Sequence, residues 1–267
     1  MTTVNASPSA PAAEARPQPE ARCPNMIAIA SGKGGVGKTW LAITLAHTFA
    51  RAGERVLLFD GDLGLANVDI QLGLMPKHDL GAVIAGRLSL AQAASAYTEG
   101  GFDIIAGRSG SGRLANIPSS RLRMLGDDLT GLATSYDHII LDLGAGVERT
   151  VRQLAHAAGA CVVVTTDEPT SLTDAYAFIK VTHMEQPGTD FRIIVNMANS
   201  TREGERTYNT LLKACQGFLK ISPPLLGVVR RDKRVRDAIR NQTSLLVRSP
   251  NTEAASDVET VARGLAS

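Results

Sequence analysis

The sequence predicts an α/β fold, a doubly wound and mostly parallel sheet with helices on both faces, and three observations carry that prediction. Short apolar, β-rich runs alternate with longer segments of helical period along the chain. Several of the runs are apolar almost throughout, as strands buried on both faces are. A glycine-rich segment, residues 31–39, stands between the first run and the first helical segment, where an open parallel sheet places its ligand.

Taken in order, the predicted strands are 26–30, 55–60, 102–106, 138–142, 161–165, 192–196 and 225–229. Helices are expected over 39–51, 119–134, 147–158, 171–183, 206–220 and 232–241. Residues 1–25 hold five of the twelve prolines and almost no large apolar side chain, the composition of a disordered tail. Met26 then opens the first folded element, and residues 26–267 read as a single domain without an internal repeat or linker.

Composition narrows the functional classes. The 28 basic and 26 acidic residues leave a formal charge of +2, too weak a field to imply a nucleic acid or membrane partner for the chain as a whole. Cys23, Cys161 and Cys215 are odd in number and widely spaced, so neither a disulfide framework nor a CxxC motif is available. The sequence shows no apolar run of about 20 residues and no signal peptide, so a cytoplasmic location is expected.

The segment Gly32-Lys33-Gly34-Gly35-Val36-Gly37-Lys38-Thr39 fits G-x-x-x-x-G-K-[ST] in the required strand-to-helix context. Glycines there let backbone N–H groups turn toward one anion, and the helix N-terminus adds its dipole. Lys38 supplies a phosphate cation and Thr39 a hydroxyl facing Mg²⁺. The candidate nucleotide contacts are therefore Gly32, Lys33, Gly34, Gly35, Val36, Gly37, Lys38, Thr39 and the following Trp40. With the extra Lys33, the loop resembles the deviant Walker A motif, KGGxGK[ST], of the MinD/ParA class of P-loop ATPases. That resemblance implies ATP and Mg²⁺ as cofactors, a homodimer glued face to face by ATP, and Lys33 reaching across to the partner's nucleotide.

Asp60 and Asp62 follow the second apolar run, where acidic side chains can hold a Mg²⁺-bound water or orient an attacking water. The resemblance assigns the hydrolytic water to Asp62 and support of the Mg²⁺ shell to Asp60, which makes Lys33, Lys38 and Asp62 the catalytic candidates. Asp142 ends His138-Ile139-Ile140-Leu141 in a Walker B pattern and joins Thr39 and Asp60 as a metal candidate. For adenine, the resemblance points to Asn196 at a strand end and to the loop carrying Arg230 and Arg231. An amide can pair with both edges of the base, although a strand-end asparagine also commonly caps a turn.

Three stretches, 107–110, 144–146 and 168–176, are similar to the FlhG/FleN (YlxH) branch, whose members control flagellar number and placement. The implied partners are an FlhF-type GTPase, a flagellar C-ring protein or a flagellar transcription activator. Departures are specific. Residues 253–267 are net acidic with a small apolar face, which reads as a surface helix and a poor membrane anchor. Nothing like the branch's DQAxxLR activating element occurs in residues 1–25, and Trp40, Leu143 and Asp167 are unusual at their positions. Six cations and two carboxylates within 230–240 leave open a second reading, a ParA-like DNA-positioning ATPase, beside a plain solvated helix face.

Overall fold

The computed structural model describes residues 22–107 and 117–266. One eight-stranded sheet organises them, in the order β3-β4-β2-β5-β1-β6-β7-β8. Its strands are β1 (Cys23–Ser31), β2 (Val56–Gly61), β3 (Ser95–Tyr97), β4 (Phe102–Ile105), β5 (His138–Ala145), β6 (Ala158–Thr165), β7 (Phe191–Ala198) and β8 (Leu225–Arg230). All neighbours run parallel except β3, which pairs antiparallel with β4 at the sheet edge. The central β1 and β2 are buried along nearly their whole length, which is why their sequences are apolar runs rather than alternations.

The chain enters the sheet three residues earlier than Met26. Cys23 already pairs with Ala158, and the Asn25 amide donates to the carbonyls of Ala133 and Tyr136, so 23–25 belong to β1 and not to the proline-rich tail. The rest of that segment, residues 1–21, lies outside the described residues.

Helices cover both faces. Helix α1 (Lys38–Arg51) lies on one face with the short α2 (Val68–Leu72), with α9 (Lys233–Arg240) and α10 (Leu245–Arg248), and with α11 (Glu253–Ala266). On the other are α3 (Leu80–Ile84), α4 (Leu90–Ala93), α5 (Ser119–Leu132), α6 (Arg149–Ala157), α7 (Pro169–Glu185) and α8 (Thr201–Ala214). The predicted helix 206–220 is two structures: regular α8, then a π-helical turn over Cys215–Leu219 that ends at Lys220 in a left-handed conformation.

Helix α11 forms over the C-terminal segment and packs on the sheet by its small apolar face. Ala254, Ala255, Val258, Val261 and Ala262 are buried against α1 and β8, and Val261 lies so close to Gly227 that a Cβ there would sit 2.6 Å from its Cγ2. The apolar face of this helix is part of the core. Among the described residues, no helix is long and apolar enough to cross a membrane.

Candidate functional site

The β2–β5 register sets Asp60 directly beside Asp142 at the C-terminal ends of two central strands. Between β1 and α1 the glycine-rich loop turns back on itself. Gly37 is the N-cap of α1 at φ 89°, a left-handed conformation, and a Cβ there would lie 2.5 Å from the Asn196 amide nitrogen. Gly32 is excluded from growth for another reason: a Cβ would collide with the Asp174 carbonyl of α7 at 2.0 Å. The loop is thus wedged between β7 and α7.

A cleft of about 570 Å³ opens over this loop. Gly34, Gly35, Gly37, Lys38, Thr39 and Trp40 line it together with Asp62 and Gly144. Lys38 is 8% exposed, and its burial lowers its pKa while the carboxylates of Asp142 and Asp62 hold it up. Burial raises the Asp142 carboxyl, against the pull of the Thr39 hydroxyl and the Lys38 ammonium. Its Oδ1 is buried and has no hydrogen-bond partner among the described residues. A carboxylate oxygen left orphaned next to a threonine hydroxyl is the donor set that Mg²⁺ takes with waters and phosphate oxygens, so Thr39 and Asp142 fit the ion.

Asp60 is held by backbone amides. It is fully buried; Oδ1 accepts from the Asp62 amide at 3.3 Å, and Oδ2 from Asn67 at 3.0 Å and Val68 at 3.1 Å. Burial and the adjacent Asp142 push its pKa up, while those three amides oppose the shift. Its direct partners are the backbone of 62–68, so Asp60 braces the loop that carries Asp62. The Asp62 carboxylate lies half-buried at the cleft and accepts from the Leu65 amide at 2.9 Å.

Lys33 points away from this cluster. Its ammonium bonds Glu168 at 2.5 Å and the Thr170 hydroxyl at 2.9 Å, at the start of α7. That pairing holds the Glu168 carboxyl below its usual range. No local sequence signal links residues 135 positions apart, so this contact becomes visible only in the fold.

The adenine candidates Asn196, Arg230 and Arg231 meet at one slot, and two of them are also engaged by neighbouring protein groups. Asn196 is buried, its amide donates to the Val36 carbonyl at 2.8 Å, and its Oδ1 accepts from the Met197 amide at 2.9 Å. It clamps the loop to β7 and holds Met197 at φ 57°, an uncommon conformation for a side chain of this size. Arg230 is clamped to α11, by Asp257 at 2.8 Å and 2.9 Å and by Glu253 at 2.7 Å. Both lie beside a slot of about 100 Å³ that also involves Arg231, Met197 and Val235. Sequence reasoning missed Met197; a methionine after a strand carries no signal of its own. The cation cluster of 230–240 is likewise partly neutralised, with Arg234 on Asp232 at 3.0 Å and Arg230, at the end of β8, on α11.

A family model described as the CobQ/CobB/MinD/ParA nucleotide binding domain matches residues 27–245, spanning the loop, both aspartate strands and β8. The chain belongs to this family. Within it, the chain is 37% identical over 238 residues to the antiactivator FleN of Pseudomonas aeruginosa, covering 89% of this chain and 85% of that one. It is 31% identical to the flagellum site-determining protein YlxH of Helicobacter pylori, with 88% and 80% covered. In structure it resembles the cell division ATPase MinD of Pyrococcus furiosus, with a TM-score of 0.76 at 22% identity and coverage of 91% and 98%. MinD of Pyrococcus horikoshii, solved in complex with Mg-ADP, gives 0.75 at 24% identity, with 89% and 94% covered. The fold is therefore that of the MinD-type P-loop nucleotide-binding proteins, and the sequence lies near the FleN branch. Of the stretches assigned to that branch, 108–110 lie outside the described residues.

Proposed function

We propose that this protein is an ATP-driven dimerising switch of the MinD and FlhG type, which governs flagellar number or placement through protein partners. The observation that carries the reading is that Lys38, Thr39 and Asp62 line one cleft while the buried Asp142 interacts with Lys38 and Thr39 behind it, in a chain 37% identical to FleN. From Cys23 onward the chain acts as one ATPase domain.

Each residue has a defined task. Backbone N–H groups of the loop and the Lys38 ammonium bind the phosphates, and Asp62 orients the attacking water. Thr39 and Asp142 hold Mg²⁺, which neutralises charge on the triphosphate when bound. Lys33 leaves Glu168 and Thr170 on dimerisation and turns to the partner's phosphates, so each protomer lacks one cation until it meets a second copy. Helix α11 is not free to lie in a membrane surface, because its apolar face is in the core. Placement at a cell pole then comes from a bound protein, of which an FlhF-type GTPase, a C-ring protein and a transcription activator are the candidates.

The test is ATP turnover against protein concentration with Mg²⁺. A rate per protomer that rises steeply with concentration supports a site completed by dimerisation; a rate independent of concentration over the range where the protein is monomeric refutes it.

A further inference from the structure

The phosphate cleft and the neighbouring 100 Å³ slot share four lining residues, Gly37, Trp40, Met197 and Ile239. Any ligand with its phosphates on the loop and a ring in the slot must cross that boundary. At about 100 Å³ the slot is smaller than the roughly 150 Å³ cavity that takes up a benzene ring, so a base would lie partly in the slot and partly in the cleft on which it opens. Of the four residues only Trp40 carries a side-chain hydrogen-bond donor. Trp40 is 5% exposed, and its indole Nε1 is buried without a partner among the described residues. Buried indole N–H groups normally find an acceptor, because an unpaired one is costly.

We infer that Trp40 is the residue that seats the nucleoside half of the nucleotide. Its position next to Thr39 would place it among the phosphate contacts, yet the two cavities put it at the junction beyond them. Its ring walls the passage, and Nε1–H donates to a sugar oxygen. In the protomer alone the nitrogen is shielded, so the indole turns as the nucleotide seats. This assignment rests on the ATP reading above and adds a discrimination to it. Trp40 registers the nucleoside, shared by ATP and ADP, and is indifferent to the terminal phosphate.

Trp40 is the sole tryptophan of the chain, so its emission reports on this one place. Calorimetry of the full-length protein with Mg²⁺ and ATP comes first, since no binding there would overturn the ATP reading itself. With binding established, ATP and ADP should change the emission equally at saturation, and inorganic tripolyphosphate should change it by less than about a fifth as much. Trp40→Phe keeps a ring and removes the N–H, and should weaken ATP and ADP about tenfold while leaving tripolyphosphate unaffected. Unchanged emission with ATP bound, an equal response to tripolyphosphate, or undiminished ATP affinity in a folded Trp40→Phe protein would each overturn the assignment. Should that variant fail to fold, the wild-type emission series decides alone.

Discussion

Two lysines five residues apart in one loop show how differently the halves of this site are built. Lys38 is buried between the carboxylates of Asp142 and Asp62, on an element wedged by Gly32 and Gly37. Lys33 is held by Glu168, whose side chain is 62% exposed, and such a surface pair is easily exchanged. The inner half is complete within a protomer, and its desolvated charges make it expensive to disturb. The outer half is a weak, solvated contact of the kind a second copy could replace. In the proposed function, binding belongs to the single chain, and dimerisation acts on what the single chain leaves at its surface.

Breaking the inner half should have the largest effect. Lys38→Ala removes the main phosphate cation and should lower ATP affinity by more than about 100-fold in calorimetry, to no measurable binding. Affinity within a few-fold of wild type would remove Lys38 from the cradle. Asp62→Ala leaves the cradle intact, so ATP should still bind while steady-state phosphate release falls by about 100-fold.

Asp142→Asn sharpens the comparison by separating binding from stability. Burial raises this carboxyl, so its charged form is disfavoured in the folded chain and its cost grows as pH rises above the ordinary carboxylate range. The variant should melt no lower than wild type at pH 8 without nucleotide, yet lose about tenfold in Mg²⁺-dependent ATP affinity. A lowered melting temperature would mean that Asp142 is structural. Glu168→Gln should act least. It frees Lys33 and should tighten the ATP-dependent dimer by roughly threefold in sedimentation, with ATP affinity unchanged. A weaker dimer would show that Glu168 serves the assembled state instead.

Much of the fold was legible because its strands are long apolar runs, such as 138–142, and its longer helices keep an apolar period. What escaped was short. Helices α2, α3 and α4 span five, five and four residues, too few for a period to emerge, and β3 is Ser-Ala-Tyr. At the site, the glycine-lysine loop and the strand-end aspartates were legible as residue types. Their protein partners were not: Asp60 accepts from backbone amides, and the Asn196 amide pairs with Val36 and Met197. Arg230 finds its carboxylates 23 and 27 residues later, on helix α11. Side-chain partners supplied by distant segments have no local pattern to read.

The account stands most directly on the mass of the Asp62→Ala protein in sedimentation equilibrium with Mg²⁺ and either ATP or ADP. It predicts twice the protomer mass with ATP, the protomer mass with ADP, and the protomer mass with both once Lys33→Ala is added. A protein that stays monomeric with ATP bound, or a dimer equally formed with ADP, would contradict it.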